Sequence, residues 1–160
     1  MKRALFLLML ALSFNTFAED KIDDQVLFIS EQDKAMNSAI AEARRRLGEF
    51  FAIAKNPPAG AEGFKLKVMV SDDSGVEHLW FSPFKEIEGG YAGVLVNEPN
   101  IIESMKHGEV YAFRESQITD WGYVLNGKQI GSYTVCVLFK TMEKSVVEQY
   151  KRDHGFDCGS

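Results

Sequence analysis

The stretch from Ile118 to Met142, ITDWGYVLNGKQIGSYTVCVLFKTM, limits the possible folds more than any other part of the chain. Asn126-Gly127 separates residues 121–125 from a long β-branched and aromatic run. A two-residue Asn-Gly turn favours the positive φ angles of a type I′ hairpin, so two antiparallel strands are expected here. With Leu125 and Lys128 flanking the turn, Tyr123 falls opposite Ile130 and Trp121 opposite Ser132, while Gly131 marks a bulge or bend. If the second strand continues, Tyr133, Val135, Val137 and Phe139 share one face and Thr134, Cys136 and Leu138 the other. Both faces are mostly apolar, which predicts a strand buried on both sides with the remaining elements wrapped around it.

Residues 1–18 read as a secretory signal peptide. Lys2 and Arg3 form a basic start, residues 4–14 are almost wholly apolar, and Thr16-Phe17-Ala18 precedes Glu19-Asp20. The apolar run falls well short of the ~20 residues a bilayer span needs. Cleavage after Ala18 is therefore expected, giving a periplasmic or secreted chain with no membrane span. Residues 19–30 read as an N-terminal arm and 31–160 as a single domain. The net charge is −5, and removing Lys2 and Arg3 makes it −7. Nucleic acid is an unsuitable partner for such a surface, because that affinity comes largely from Lys and Arg displacing counterions.

From Ser30 the pattern is helical: Met36, Ile40, Ala43, Leu47, Phe50 and Ala54 recur at steps of three and four, with Ser30 as cap and Asn56-Pro57-Pro58 as stop. The Arg44-Arg45-Arg46 run reads as a solvated helix face, Glu42 lying four residues before Arg46 and Glu49 four after Arg45. Residues 64–70 alternate Phe64, Leu66, Val68 and Val70 against Lys65, Lys67 and Met69, a half-buried strand with its lysines in water. After an Asp72-Asp73-Ser74-Gly75 turn, residues 76–81 return as a second strand ended by Pro83. His78 and Trp80 are expected on its core side with Val68, whereas a one-residue slip would bring Glu77 inward. A third strand spans 91–96, Asn100 and Glu103 suggest a capping box on a short helix over 101–106, and 110–113 form the next strand. Residues 143–155 are compatible with a closing helix, Val146, Val147 and Tyr150 on one side.

These elements describe an α+β domain: a long N-terminal helix packed on a strongly bent antiparallel sheet of five or six strands, and a short C-terminal helix. Glycines 93, 122 and 131 admit a partly closed barrel as a variant.

The candidate chemistry is sparse. Glu77 and His78 are adjacent on a strand and point to opposite faces, so each needs a partner from elsewhere. Asp120 precedes a strand, where an Asp commonly bonds nearby backbone, although a dyad forms if it meets His78 across the sheet. With the 64–81 and 121–139 hairpins sharing one sheet, His78, Trp80, Asp120 and Trp121 are expected in one cluster. Asp153-His154 with Asp157-Cys158 lacks a recognised metal spacing, so no metal and no cofactor is expected. Cys136 and Cys158 are either bridged, as export would permit, or separate, with Cys136 in the core and Cys158 loose in the tail. There is no glycine-rich phosphate loop, no GxSxG elbow and no HExxH.

The set Glu77-His78-x-Trp80, Asn97-x-Pro99, Ile118-x-Asp120-Trp121 and Asn126-Gly127-x-x-x-Gly131-x-Tyr133-Thr134, preceded by AMNSAIAEARRRLGEFF, resembles the YegJ-like family of bacterial proteins. The resemblance spans roughly Asp33 to Tyr150. It marks Trp80, Asn97, Trp121, Tyr133 and Thr134 as binding candidates, but the family is a domain of unknown function and supplies no activity. The leading expectation is a non-catalytic, inhibitor-like binding module of the cell envelope, its partner an envelope protein or a small ligand. The alternative is a small periplasmic enzyme with Glu77, His78 and Asp120 in a cleft. A structural stabiliser of an envelope assembly is third.

Overall fold

The computed structural model describes residues 33–159. The expected signal peptide, the arm over 19–30 and the Ser30 cap lie outside them. Residues 33–45 form a helix, α1, and after a single turn residue, Arg46, the chain continues as α2, Leu47–Lys55. The Arg46 N–H still reaches Glu42 O at 3.2 Å, and the Phe50 N–H reaches Arg46 O at 3.2 Å, so the two segments act as one amphipathic rod. Its expected stripe is the inner one: Ala43, Leu47 and Phe50 are buried. Of the three arginines, Arg45 pairs with Glu42 and Arg46 with Glu49, one residue closer than the expected spacing. Arg44 is tied to the sheet, donating to the carbonyls of Ile118 and Ser116.

Six strands follow: β1 (Ala61–Asp72), β2 (Gly75–Ile87), β3 (Gly90–Leu95), β4 (Val110–Phe113), β5 (Ile118–Leu125) and β6 (Lys128–Gly131). They form one antiparallel sheet of order β4-β3-β2-β1-β5-β6. The sheet is open, β4 and β6 being its edges, so the barrel variant is corrected. Bulges interrupt β1 against β5 and β2 against β3. They bend the sheet without closing it. Pro83 does not end β2; it sits in the β2–β3 bulge, and β2 runs on to Ile87.

Register assigns the faces. Phe81, Leu66 and Trp121 are direct neighbours across β2, β1 and β5, and they face the helical rod together with Val68, Leu79 and Tyr123. Phe50 stacks on Trp121 with ring centroids 5.0 Å apart, and the indole N–H of Trp121 donates to Ala43 O at 2.8 Å. On the opposite face Trp80, Lys67 and Asp120 form the corresponding row. The slipped register is thus the real one. His78 and Trp80 turn away from the helix-covered core, and Glu77 shares the face of Leu79 and Phe81.

The hairpin register is as expected, Tyr123 opposite Ile130, with positive φ at Asn126 and Gly127. The expected continuation as a strand through Phe139 is overturned. At Gly131 and Ser132 both φ angles are positive, 76° and 55°, and the chain turns into α3, Tyr133–Leu138, followed by a 3₁₀ turn over Phe139–Thr141. A Cβ at position 131 would strike the Trp121 carbonyl oxygen and ring, so this turn needs glycine. The helix expected over 101–106 is also absent. That loop is instead pinned by carboxylates: Glu77 accepts the N–H groups of Asn100, Ile101 and Ile102, and Asp72 accepts Ser104. The closing helix, α4, spans Lys144–His154 and ends at Gly155 with φ 69°. Of its expected apolar side only Val147 is buried.

Candidate functional site

The second face of the sheet and the C-terminal segment enclose a groove of about 710 Å³. Lys65, Lys67 and Trp80 form its floor and Val124 and Gln129 one side. The far wall is built from α3, the 3₁₀ turn and α4 through Leu138, Phe139, Met142, Tyr150 and Asp153, with Phe156 beyond them. The tail is not loose. The Gly155 carbonyl accepts the Gln129 N–H at 2.9 Å, and Cys158 is bridged to Cys136 on α3 with Cα atoms 5.5 Å apart.

The lysines expected in water are therefore on the floor of a groove, and Lys67 is only 8% exposed. Their Nζ atoms lie 4.8 Å and 5.4 Å from the centre of the Trp80 ring, within cation–π range. Burial holds both amines below the ordinary lysine range. Asp120 opposes the effect at both, and Lys65 adds to it at Lys67.

Asp120 is fully buried and organises the start of α3. Its carboxylate accepts Trp121 N–H at 2.8 Å, Tyr133 N–H at 3.2 Å, Thr134 N–H at 2.8 Å and the Thr134 hydroxyl at 2.6 Å. The local Asp–backbone bond expected from sequence is present at Trp121. Tyr133 and Thr134 supply amides of the first turn of α3 that no carbonyl within the helix can accept, so a side chain from β5 caps this helix. Burial pushes the Asp120 carboxyl up against the pull of these bonds and of Lys67. Lys67 donates to Thr134 Oγ1 at 3.0 Å, which completes a Lys67–Thr134–Asp120 chain.

Glu77, His78 and Asp120 do not converge. The Glu77 carboxylate is occupied by the 100–102 loop. His78 is exposed at its outer edge while its ring is partly buried, and its Nδ1 lies 2.9 Å from Thr119 Oγ1, not on Asp120. Burial, then Lys67 and Arg44, hold the imidazole below its ordinary range. The expected four-residue cluster is half right in geometry: Trp80 and Asp120 share a row, whereas Trp121 lies across the sheet among the helix-facing aromatics.

The binding candidates divide in the same way. Trp80, Asn97 and, through Lys67, Thr134 belong to the groove, Asn97 Oδ1 accepting the Trp80 N–H at 2.6 Å. Trp121 and Tyr133 pack edge to face, and the Tyr133 hydroxyl accepts from Arg46. Asp153 and His154 line the groove but Cys158 is in the disulfide, and no group of three metal-ligating side chains occurs among the described residues. Sequence reasoning missed Lys65 and Lys67. The available signal was Asp120: a carboxylate within an apolar strand calls for a cation nearby, and the neighbouring strand offered two.

No helix among the described residues is long and apolar enough to cross a membrane. The chain is similar to the uncharacterized protein YegJ of Escherichia coli (strain K12), 27% identical over 94% of this chain and 97% of that protein. It is also similar to a putative ankyrin repeat protein of Neisseria meningitidis serogroup B, 25% identical over 86% of this chain and 57% of that one. No solved structure matches. Residues 33–158 match the family described as an uncharacterized protein conserved in bacteria (DUF2314), and the chain belongs to that family, as the YegJ-like motifs implied.

Proposed function

We propose that this protein is an exported, non-catalytic binding module of the cell envelope and that its ligand site is the groove over Lys65, Lys67 and Trp80. One observation carries the reading: two ammonium groups face an open groove while the nearest buried carboxylate, Asp120, is already saturated by four donors. Catalysis has less support. The Thr134 hydroxyl, which donates to Asp120 and accepts from Lys67, is buried and does not line the groove, so it is not presented to a substrate. Glu77 and His78 are engaged elsewhere, which weakens the enzyme alternative. The Neisseria relative is named for ankyrin repeats, a class of repeat that presents binding surfaces, and this too favours interaction.

Export is tested by N-terminal sequencing of chain recovered from the periplasm, which should begin at Glu19; an intact Met1 rejects it. Binding is tested by passing envelope extract over the immobilised oxidised protein and over Trp80→Ala. Capture lost in the variant supports the groove, and equal capture by both places the site elsewhere.

A further inference from the structure

Resting on the groove as a binding site, we infer that its ligand is an amphipathic carboxylate, a small molecule with one anionic head and an apolar body. Lys67 is almost fully buried and among the described residues has one protein acceptor, Thr134 Oγ1, for its three N–H groups. Lys65 has none, and no carboxylate among the described residues lies within ion-pair distance of either amine. Two adjacent ammonium groups with unused donors, fixed above one indole ring, suit the two oxygens of a carboxylate.

The charge of the head is limited from both sides. No arginine lines the groove, although a guanidinium fork is the usual partner of a phosphate. Glu62 and Asp153 also line the groove and repel a more highly charged group. The opposite wall carries Leu138, Phe139, Met142 and Phe156, which offer apolar surface to a hydrocarbon body. A volume of about 710 Å³ falls among small-molecule sites.

The test is calorimetric titration with decanoate, decanol and decyltrimethylammonium, on the full oxidised chain and on Lys65→Met and Lys67→Met, each checked for a native near-UV spectrum. The Lys65 side chain makes no hydrogen bond among the described residues, so Lys65→Met keeps the test valid even where Lys67→Met fails to fold. Decanoate should bind the natural chain and bind Lys65→Met at least ~10-fold more weakly, the loss expected for a charge-assisted bond. Its affinity should fade as pH rises through the depressed lysine range. Decanol binding as tightly as decanoate, or an unchanged decanoate affinity in Lys65→Met, overturns the inference. Failure of decanoate while Trp80-dependent capture persists removes only the ligand class, whereas failure of both removes the groove as the site.

Discussion

Replacing Asp120 by Asn changes one atom of the side chain and reverses its hydrogen-bonding sense on one side. Oδ1 now accepts Trp121 and Tyr133 N–H, and Oδ2 accepts the Thr134 N–H and hydroxyl. An amide oxygen can serve only one of these pairs, so an NH₂ group must face donors on the other. The Thr134 hydroxyl can rotate to accept from it, but the Thr134 N–H, in the first turn of α3, is left buried without an acceptor. That costs ~1–3 kcal/mol, and the lost negative charge leaves Lys67 buried beside one hydroxyl. Relief from desolvating Asp120 offsets part of this, since burial already pushes its carboxyl up. The balance is about 3 kcal/mol, or a melting temperature lower by roughly 10 °C for a domain of this size. Urea unfolding of the natural chain, Asp120→Asn, Lys67→Met and the double variant measures it. The double variant should lose less than the sum of the singles by at least ~1 kcal/mol, because each single leaves the other charge stranded. Additive losses, or an Asp120→Asn penalty below ~1 kcal/mol, would refute the coupled Lys67–Thr134–Asp120 chain.

Hydrogen bonds from Ser104 and Ser74 hold the Asp72 carboxyl down at about 2, so its tie to the loop is present above the ordinary carboxylate range and is lost as pH falls through about 2. Carboxyl NMR should show that midpoint; a midpoint at the ordinary 3.8 would mean that the tie does not form in solution. Phe50→Ala removes a fully buried ring stacked on Trp121 and should cost ~3–5 kcal/mol in denaturant unfolding; a loss under ~1 kcal/mol would show that the rod does not pack there. Gly131→Ala places a Cβ against the Trp121 carbonyl at positive φ and should cost at least ~2 kcal/mol in the same assay, while an unchanged midpoint contradicts the tight turn into α3.

Local signals proved legible where local chemistry decides. The Asn126-Gly127 turn, the stripe from Met36 to Phe50 and the closing helix within 143–155 each follow from one or two residues and a period, and each is present. The sequence YTVCVLF is rich in β-branched and aromatic residues and reads as strand, yet it is mostly helix. Its conformation is set by Asp120, thirteen residues upstream of Tyr133, and by a left-handed pair that the strand pattern hides. Tertiary contact overrode propensity there. The faces of β2 were misassigned for a similar reason: Glu77-His78-Leu79-Trp80-Phe81 carries apolar residues on both sides, and only the docking of Phe50 and its neighbours determines which side is covered. Lys67 looked like a solvent-facing lysine because its cover arrives from the other end of the chain.

The strand order has a consequence for how the chain acquires its shape. β1 to β4 pair in succession through short-range contacts, whereas β5 must return past all of them to reach β1. Loop-closure entropy makes that pairing the slow and late step, after the four-stranded meander. Trp80 and both lysines belong to the early part, and every wall residue from Val124 to Phe156 to the late part. A chain still emerging from the ribosome therefore carries the floor of the groove with nothing above it, and the proposed site is complete only once residues 124–156 have followed.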